Sequence, residues 1–279
     1  MKQLYLLGHP VAHSLSPAIQ NVALRALNLD YEYHLMPVSP EELGRRVDEL
    51  RDPSVVGFNV TIPHKVAVMP LLDKLDNSAS TVGAVNTVVN HGGLLVGHNT
   101  DSVASTHVLQ ETYGDLAGCR VVILGAGGAA RAVASGLAPH AEKITILARD
   151  ESKAKSLVEH MRAKNQSKIQ DGSFGEVTEI IHSADVLVNA TPVGMHPNID
   201  ASPVEAHALH AGLLVFDLIY NPERTRLLMD AEATGARAVG GLKMLVYQGA
   251  EAFRLWTGRE APEKLMMGAA RAALGGVTS

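Results

Sequence analysis

Residues 121–132 read VVILGAGGAARA: an apolar run, a glycine cluster, then small residues at helical spacing. In the order strand, turn, helix, the segment Gly125-Ala126-Gly127-Gly128-Ala129-Ala130 meets G-x-G-x-x-G/A, the pattern that cradles a dinucleotide pyrophosphate. Gly125 permits the tight turn and Gly127 lets backbone approach the phosphates. Ala130 allows the helix to pack closely on the strand. Gly128 and Ala129 open that helix, whose free N–H groups face an anion. A purely structural βα turn is the competing reading, since glycine-rich loops often only turn the chain. The strand before and the helix after favour the dinucleotide.

The unit continues through KITILAR (143–149), ADVLVNA (184–190), LLVFDLIY (213–220) and ARAVG (236–240), separated by helical stretches or loops. Such alternation is the signature of a parallel α/β sheet. The second strand of a dinucleotide unit ends beside the adenosine ribose, where an acidic residue selects NAD. Here the tip is Ala148 followed by Arg149, with Lys153 one turn on. Arg149 and Lys153 suit a ribose 2′-phosphate through charge-assisted hydrogen bonds, which points to NADP. Asp150 lies between them and would repel that phosphate if it faced inward. The stretch ARDESKAK also reads as a solvated run of i,i+3 and i,i+4 pairs.

Toward the N-terminus, LYLLG (4–8), YEYHLMPV (31–38), VVGFNVTI (55–62), GAVNTVVN (83–90) and LLVGHN (94–99) read as strands. Helices are expected near 16–27, 41–51 and 63–75, the last kinked or divided by Pro70. In the second, Ser39 caps, Pro40 takes the first helical position and Glu42 completes a capping box. The turn cluster NHGG (90–93) makes the last two strands a hairpin. A helix near 102–115 leads into the glycine-loop unit. Toward the C-terminus, GLKMLVYQGAEAFRLWTG (241–258) and PEKLMMGAARAALG (262–275) have helical spacing and no strand follows them. They are expected to return to the first domain. The expected organisation is therefore α/β with two domains: residues 1–101 with 242–279, and a Rossmann domain over 102–241.

With 279 residues, 46% apolar and 19% charged, the chain is long enough for two globular domains. A net charge of −5 and a pI near 6.2 argue against nucleic-acid and anionic-membrane partners. Cys119 stands alone, so no disulfide framework is expected. No HExxH or comparable histidine pair occurs, and no metal site is expected. The opening apolar run is too short for a signal-peptide core or a membrane span, and a cytoplasmic protein is expected.

The first domain also carries short polar groups beside strand ends. HSLSP supplies Ser14 and Ser16, NVTIPHK supplies Asn59, Thr61 and Lys65, GAVNTV supplies Asn86, and GHNTDS supplies Asn99 and Asp101. Singly, each has a structural explanation, such as Ser16 or Asp101 capping a helix. Jointly, they suit a small, hydroxyl-rich, carboxylated ligand at the mouth of an open sheet. Pro63 at a first helical position would put Lys65 in a first helical turn, where the helix dipole disfavours a cation.

The order SLSP, FNVTIPHK, GAVNT, NTD, GAGGAARA, NATPVGM, DLIYNP, MLVYQGAEAFRLWTG resembles the shikimate dehydrogenase family over essentially the whole chain. The resemblance implies reversible NADPH-linked reduction of 3-dehydroshikimate to shikimate in chorismate and aromatic amino-acid biosynthesis, without a metal. It implies a substrate domain, a Rossmann domain and a cleft between them, in a monomer or homodimer. By motif, Ser14 and Ser16 would hold the carboxylate. Asn59, Thr61, Asn86 and Gln248 would bind ring hydroxyls, with Tyr220 nearby. Lys65 and Asp101 would be the catalytic pair, and Thr191, Leu218 and Gly241 would line the nicotinamide half. Neighbouring readings are a quinate/shikimate paralogue using NAD or both cofactors, and a nucleotide-binding sensor without turnover. The chain departs from the family pattern at Ser102, where NTDG is usual, at Pro192, where NATS is usual, at Ala148-Arg149-Asp150, where N-R-T is usual, and at Asn77, where an acid is common. A lysine that both gives and takes a proton needs its two forms close in energy. A helix N-terminus and low-dielectric surroundings favour the amine, and Asp101 the ammonium.

Overall fold

The structure, a computed structural model, describes residues 1–164, 166 and 168–277. The chain divides into two units, Met1–Asp101 with the chain from Val246 onward, and Ser102–Leu245.

The first unit begins β1 (Lys2–Gly8), α1 (Ser16–Ala26), β2 (Tyr31–Pro37), α2 (Leu43–Glu49) and β3 (Val55–Val60). It continues with β4 (Lys74–Leu75), α3 (Asn77–Val82), β5 (Thr87–His91) and β6 (Leu94–His98). The sheet order is β2-β1-β3-β5-β6-β4. β1 lies parallel to β2 and β3, and β5 runs antiparallel to β3 and to its hairpin partner β6. Leu7, Val47, Phe58, Val68, Val85, Val88 and Leu95 share one buried cluster on this sheet. α3, not foreseen from sequence, is capped by Asp76, whose Oδ1 accepts from Ala79 N at 3.0 Å.

The expected helix over 63–75 is absent. Residues 61–68 form successive turns, followed by a 3₁₀ turn at Met69–Leu71 and the short β4. The Lys65 carbonyl accepts from Val85 N at 2.7 Å, so a contact distant in sequence takes the acceptor that a helix would use. Lys65 is not in a helical first turn, so the dipole expected from a helix of its own is absent. The helix expected at 41–51 appears as a 3₁₀ turn at Pro40–Glu42 running into α2.

α4 (Asp101–Tyr113), whose first residue belongs to the first unit, leads into the second. There follow β7 (Arg120–Leu124), α5 (Gly128–Leu137), β8 (Lys143–Leu147), α6 (Glu151–Ala163) and β9 (Ile169–Asp171). Next come α7 (Val177–His182), β10 (Val186–Asn189), β11 (Leu214–Asp217), α8 (Arg226–Ala233) and β12 (Arg237–Gly240). Its strands are all parallel, in the order β12-β11-β10-β7-β8-β9. In sequence terms that is the doubly wound arrangement of dinucleotide-binding folds. The four central strands β11, β10, β7 and β8 are Val-, Ile- and Leu-rich and largely buried, as expected for a parallel sheet covered on both faces.

α9 (Leu242–Thr257) and α10 (Glu263–Val277) complete the chain. Trp256 of α9 donates its indole N–H to Val88 O at 2.9 Å. A side chain at Gly57 would collide with that indole and with the Val88 carbonyl, so the glycine is what lets α9 lie against the first sheet. The division between units falls inside α9 rather than ahead of it. Lys243, in the first turn of α9, pairs with Glu111 at 3.2 Å and so belongs with α4.

Among the described residues no helix is long and apolar enough to cross a membrane. No group of three or more His, Cys, Asp or Glu among them is placed to hold a metal ion.

Candidate active site

In the first unit, Lys65 Nζ donates to Asp101 Oδ2 at 2.6 Å, with side chains 15% and 6% exposed. The lysine rides on a loop pinned at three points. Thr61 N donates to Leu7 O at 2.8 Å, the buried His64 ring donates from Nε2 to Val38 O at 2.7 Å, and Val85 N reaches Lys65 O. Asp101 is the first residue of α4, and its Oδ1 accepts from Asn86 Nδ2 at 2.9 Å. Asn86 lies just ahead of β5 rather than within a strand. Its carbonyl oxygen accepts from Thr100 N at 2.8 Å and its amide also donates to Thr100 Oγ1 at 2.9 Å. Gln248 Oε1 lies 3.4 Å from the same amide nitrogen.

Asn59, on β3, donates to Asn86 O and to Thr87 Oγ1, both at 3.0 Å. Its oxygen accepts from the buried Tyr33 hydroxyl at 2.7 Å. With both amide hydrogens spent, Asn59 offers a ligand only its remaining acceptor capacity. Ser16 begins α1 but caps nothing: the N-cap position is Leu15, with no side-chain cap bond. Ser14 Oγ accepts from Ser16 N and donates to Ser16 Oγ, each at 3.2 Å. The structure thus gathers Asn59, Lys65, Asn86, Asp101 and Gln248 into one hydrogen-bonded cluster, with Ser14 and Ser16 paired beside the start of α1.

In the second unit, Gly125 adopts φ +105°, in the left-handed region that favours glycine. Gly127 is the N-cap of α5 and carries no side-chain cap. Nothing lies within 4 Å of where its side chain would stand, so a phosphate there would meet bare backbone N–H groups at the helix start. Ala130 is fully buried against the sheet. The residues present fit a dinucleotide pyrophosphate. At the tip of β8, Arg149 is exposed and has no partner among the described residues. Asp150 is the N-cap residue of α6, accepting from Ser152 Oγ at 2.5 Å and pairing with Lys153 at 3.4 Å. Ser152 first, and then Lys153, hold the Asp150 carboxyl below the usual range. Lys153 therefore has a local partner, whereas Arg149 has none among the described residues.

Thr191 follows β10 with its hydroxyl donating to Asn189 Oδ1 at 2.7 Å. Leu218 follows β11, its amide bound to Asn189 O at 3.0 Å. A side chain at Gly241 would collide with the Leu218 carbonyl. Tyr220 is partly exposed in the same loop. Sequence reading passed over three groups here. Asn189 and Asp217 are both fully buried at strand ends; a polar residue closing an apolar parallel strand was the available signal. Arg131 of α5 is partly buried without a partner among the described residues, and burial pushes its guanidinium down.

Residues 6–88 match the family described as the shikimate dehydrogenase substrate binding domain. Residues 107–223 match shikimate / quinate 5-dehydrogenase, and residues 241–271 match the shikimate 5′-dehydrogenase C-terminal domain. A shikimate dehydrogenase (NADP(+)) of Methanopyrus kandleri is 50% identical, over 94% of this chain and 92% of that protein. The chain belongs to the shikimate dehydrogenase family.

Solved structures of the family agree. One shikimate dehydrogenase, crystallised in complex with NADP+, is 40% identical with a TM-score of 0.90, covering 98% of this chain and 96% of its own. The Thermus thermophilus shikimate 5-dehydrogenase, in complex with NADP(H) and shikimate, is 38% identical with a TM-score of 0.87, covering 98% and 100%. Within the family match, the 107–223 segment holds the glycine loop and Asp217, and the 241–271 segment holds Gly241 and Gln248.

Proposed function

We propose that the chain is an NADP-dependent shikimate dehydrogenase, catalysing reversible reduction of 3-dehydroshikimate to shikimate in chorismate and aromatic amino-acid biosynthesis. The observation that carries this reading is the Lys65–Asp101 pair. An ammonium has three donors, and Lys65 spends one of them on Asp101 among the described residues. The others remain for a substrate oxygen. NADPH, when bound, supplies the hydride that arrives at the carbonyl carbon. Lys65 gives the proton to the oxygen in reduction and takes it back in alcohol oxidation. Asp101, held by Asn86, fixes the lysine and keeps an acceptor beside it.

Ser16 is free of capping duty and, with Ser14 beside it, suits a carboxylate; Asn59, Thr61 and Gln248 are assigned to the ring hydroxyls, with Asn86 and Tyr220. Paired serines favour shikimate over quinate, whose extra 1-hydroxyl needs room there. Gly125, Ala126, Gly127, Gly128 and Ala129 would hold the pyrophosphate. Thr191, Leu218 and Gly241 would line the nicotinamide, and Arg149, with Lys153 beside it, would hold the 2′-phosphate. We place this activity in the cytoplasm, in a monomer or homodimer; light scattering on the purified chain decides between those states.

The test is spectrophotometric, with shikimate and quinate each presented with NADP+ and NAD+. Steady reduction of NADP+ by shikimate is expected. Absence of turnover with nicotinamide binding intact would leave a sensor, and preference for quinate with NAD+ would leave the paralogue.

A further inference from the structure

Asn189 and Asp217 end the neighbouring strands β10 and β11 and stand opposite each other in register. Both side chains are fully buried. Asn189 fills its hydrogen-bonding positions within its own loop and across the sheet. Its oxygen accepts from Thr191 N at 3.0 Å and Thr191 Oγ1 at 2.7 Å. Its amide donates to Val193 O at 3.3 Å and to Asp217 Oδ1 at 3.0 Å. Asp217 Oδ1 also accepts from Ile219 N at 3.1 Å, and Oδ2 accepts from Thr225 Oγ1 at 2.7 Å. Thr225 in turn caps α8 by accepting from Leu228 N at 3.3 Å. One carboxylate therefore ties together the loop after β10, the loop after β11 and the start of α8.

No cation among the described residues pairs with this carboxylate. A buried charge without a counter-ion is costly. An asparagine of the same shape could keep the same bonds, accepting from Asn189 and Ile219 and donating to Thr225. Stability alone gives no reason for a charge here. Thr191 and Leu218, the two residues assigned above to the nicotinamide, flank it in the chain and across the sheet. A nicotinamide ring is cationic when oxidised and neutral when reduced.

We infer that Asp217 is a positioning residue that sets both nicotinamide loops and whose uncompensated negative charge, behind Thr191 and Leu218, favours the oxidised cofactor. This rests on the cofactor assignment proposed above. Asp217 does not touch the cofactor; it acts through the loops and through its field, which a low-dielectric interior screens weakly.

The experiment is equilibrium binding at pH 8, reading NADPH fluorescence directly and NADP+ by competition, on the full chain. Asp217→Asn should weaken NADP+ binding roughly 3- to 30-fold and leave NADPH within about two-fold. Thr225→Val keeps the charge and loosens the clamp, so it should move both cofactors together. Equal changes for both cofactors in Asp217→Asn, or none, would overturn the inference while leaving the cofactor assignment intact. An unmutated chain that binds neither NADPH nor NADP+ would instead remove the cofactor assignment itself.

Should Asp217→Asn fail to fold, the unmutated protein decides. The groups meeting the carboxylate from β10, from the loop after β11 and from α8 are Asn189, the Ile219 amide and Thr225, none of them titratable. Burial pushes the Asp217 carboxyl up to about 6. The preference for NADP+ over NADPH should therefore shrink between pH 8 and pH 5. An unchanged ratio across that range would overturn the inference.

Discussion

At the scale of single residues, the catalytic role proposed for Lys65 and Asp101 separates from that of a structural ion pair by what their loss does. Lys65→Ala should lower kcat by roughly 10²–10⁴-fold, with shikimate affinity changed far less because other polar groups hold the ring. Asp101→Asn keeps the shape and the Asn86 contact while removing the charge beside Lys65, so turnover should fall there too. A merely structural bridge gives reduced melting temperature in both variants and near-normal kcat in what stays folded. Ser16→Ala should weaken shikimate binding with little change in melting temperature, because Ser16 makes no cap; a large stability loss at unchanged affinity would contradict this. Asp217 adds a pH effect on stability. Its folded-state carboxyl titrates at about 6 against an ordinary value of 3.8, because burial disfavours the charge more than Thr225, Ile219 and Asn189 favour it. The folded state therefore holds a proton that the unfolded chain releases, and stability from this group falls as pH rises from about 4 through 6. The change is on the order of 1–3 kcal/mol. Melting curves of Asp217→Asn should lack that component of the slope.

At the scale of elements, one strand end and one helix seat make testable differences. Two residues past the end of β8 stands Arg149, exposed and without a partner among the described residues, while Lys153 pairs with Asp150 at the start of α6. Arg149→Ala should raise the Michaelis constant for NADP and spare that for NAD; a better NAD enzyme in the unmutated form would refute the assignment. Lys153→Ala should matter less, since that ammonium already has a neighbour. For α9, the seat is Gly57: a methyl group there meets both the Trp256 indole and the Val88 carbonyl. Gly57→Ala should cost about 1–3 kcal/mol by overpacking, read as a lower melting temperature with NADPH affinity unchanged.

At the scale of the whole molecule, the first unit is closed by chain ends far apart in sequence. Ile19 and Gln20 of α1 and Met266 of α10 surround Gly249 of α9, and Gln20 Nε2 donates to Gly249 O at 2.8 Å. Met266 is fully buried, so Met266→Ala should destabilise by about 2–4 kcal/mol. The sequence by itself determined the glycine-loop unit, since strand, turn and helix there follow from local spacing, and it determined the motif order that places the chain in its family. It also singled out Asn59, Lys65, Asn86 and Asp101 as polar groups beside strand ends, whereas Gln248 came through the family resemblance and Tyr33, Thr87 and Thr100 were not singled out. Tertiary structure alone decided the path of residues 61–75, where local signals read as a helix but Val85 N–H captures the Lys65 carbonyl. It alone decided that Asn59 is tied to Asn86 and Thr87, and that Asn189 and Asp217 share one buried hydrogen-bond network. The reason is common to all of them: a hydrogen-bonding group settles on the partner that folding brings near, and local spacing cannot encode a partner that lies tens of residues away.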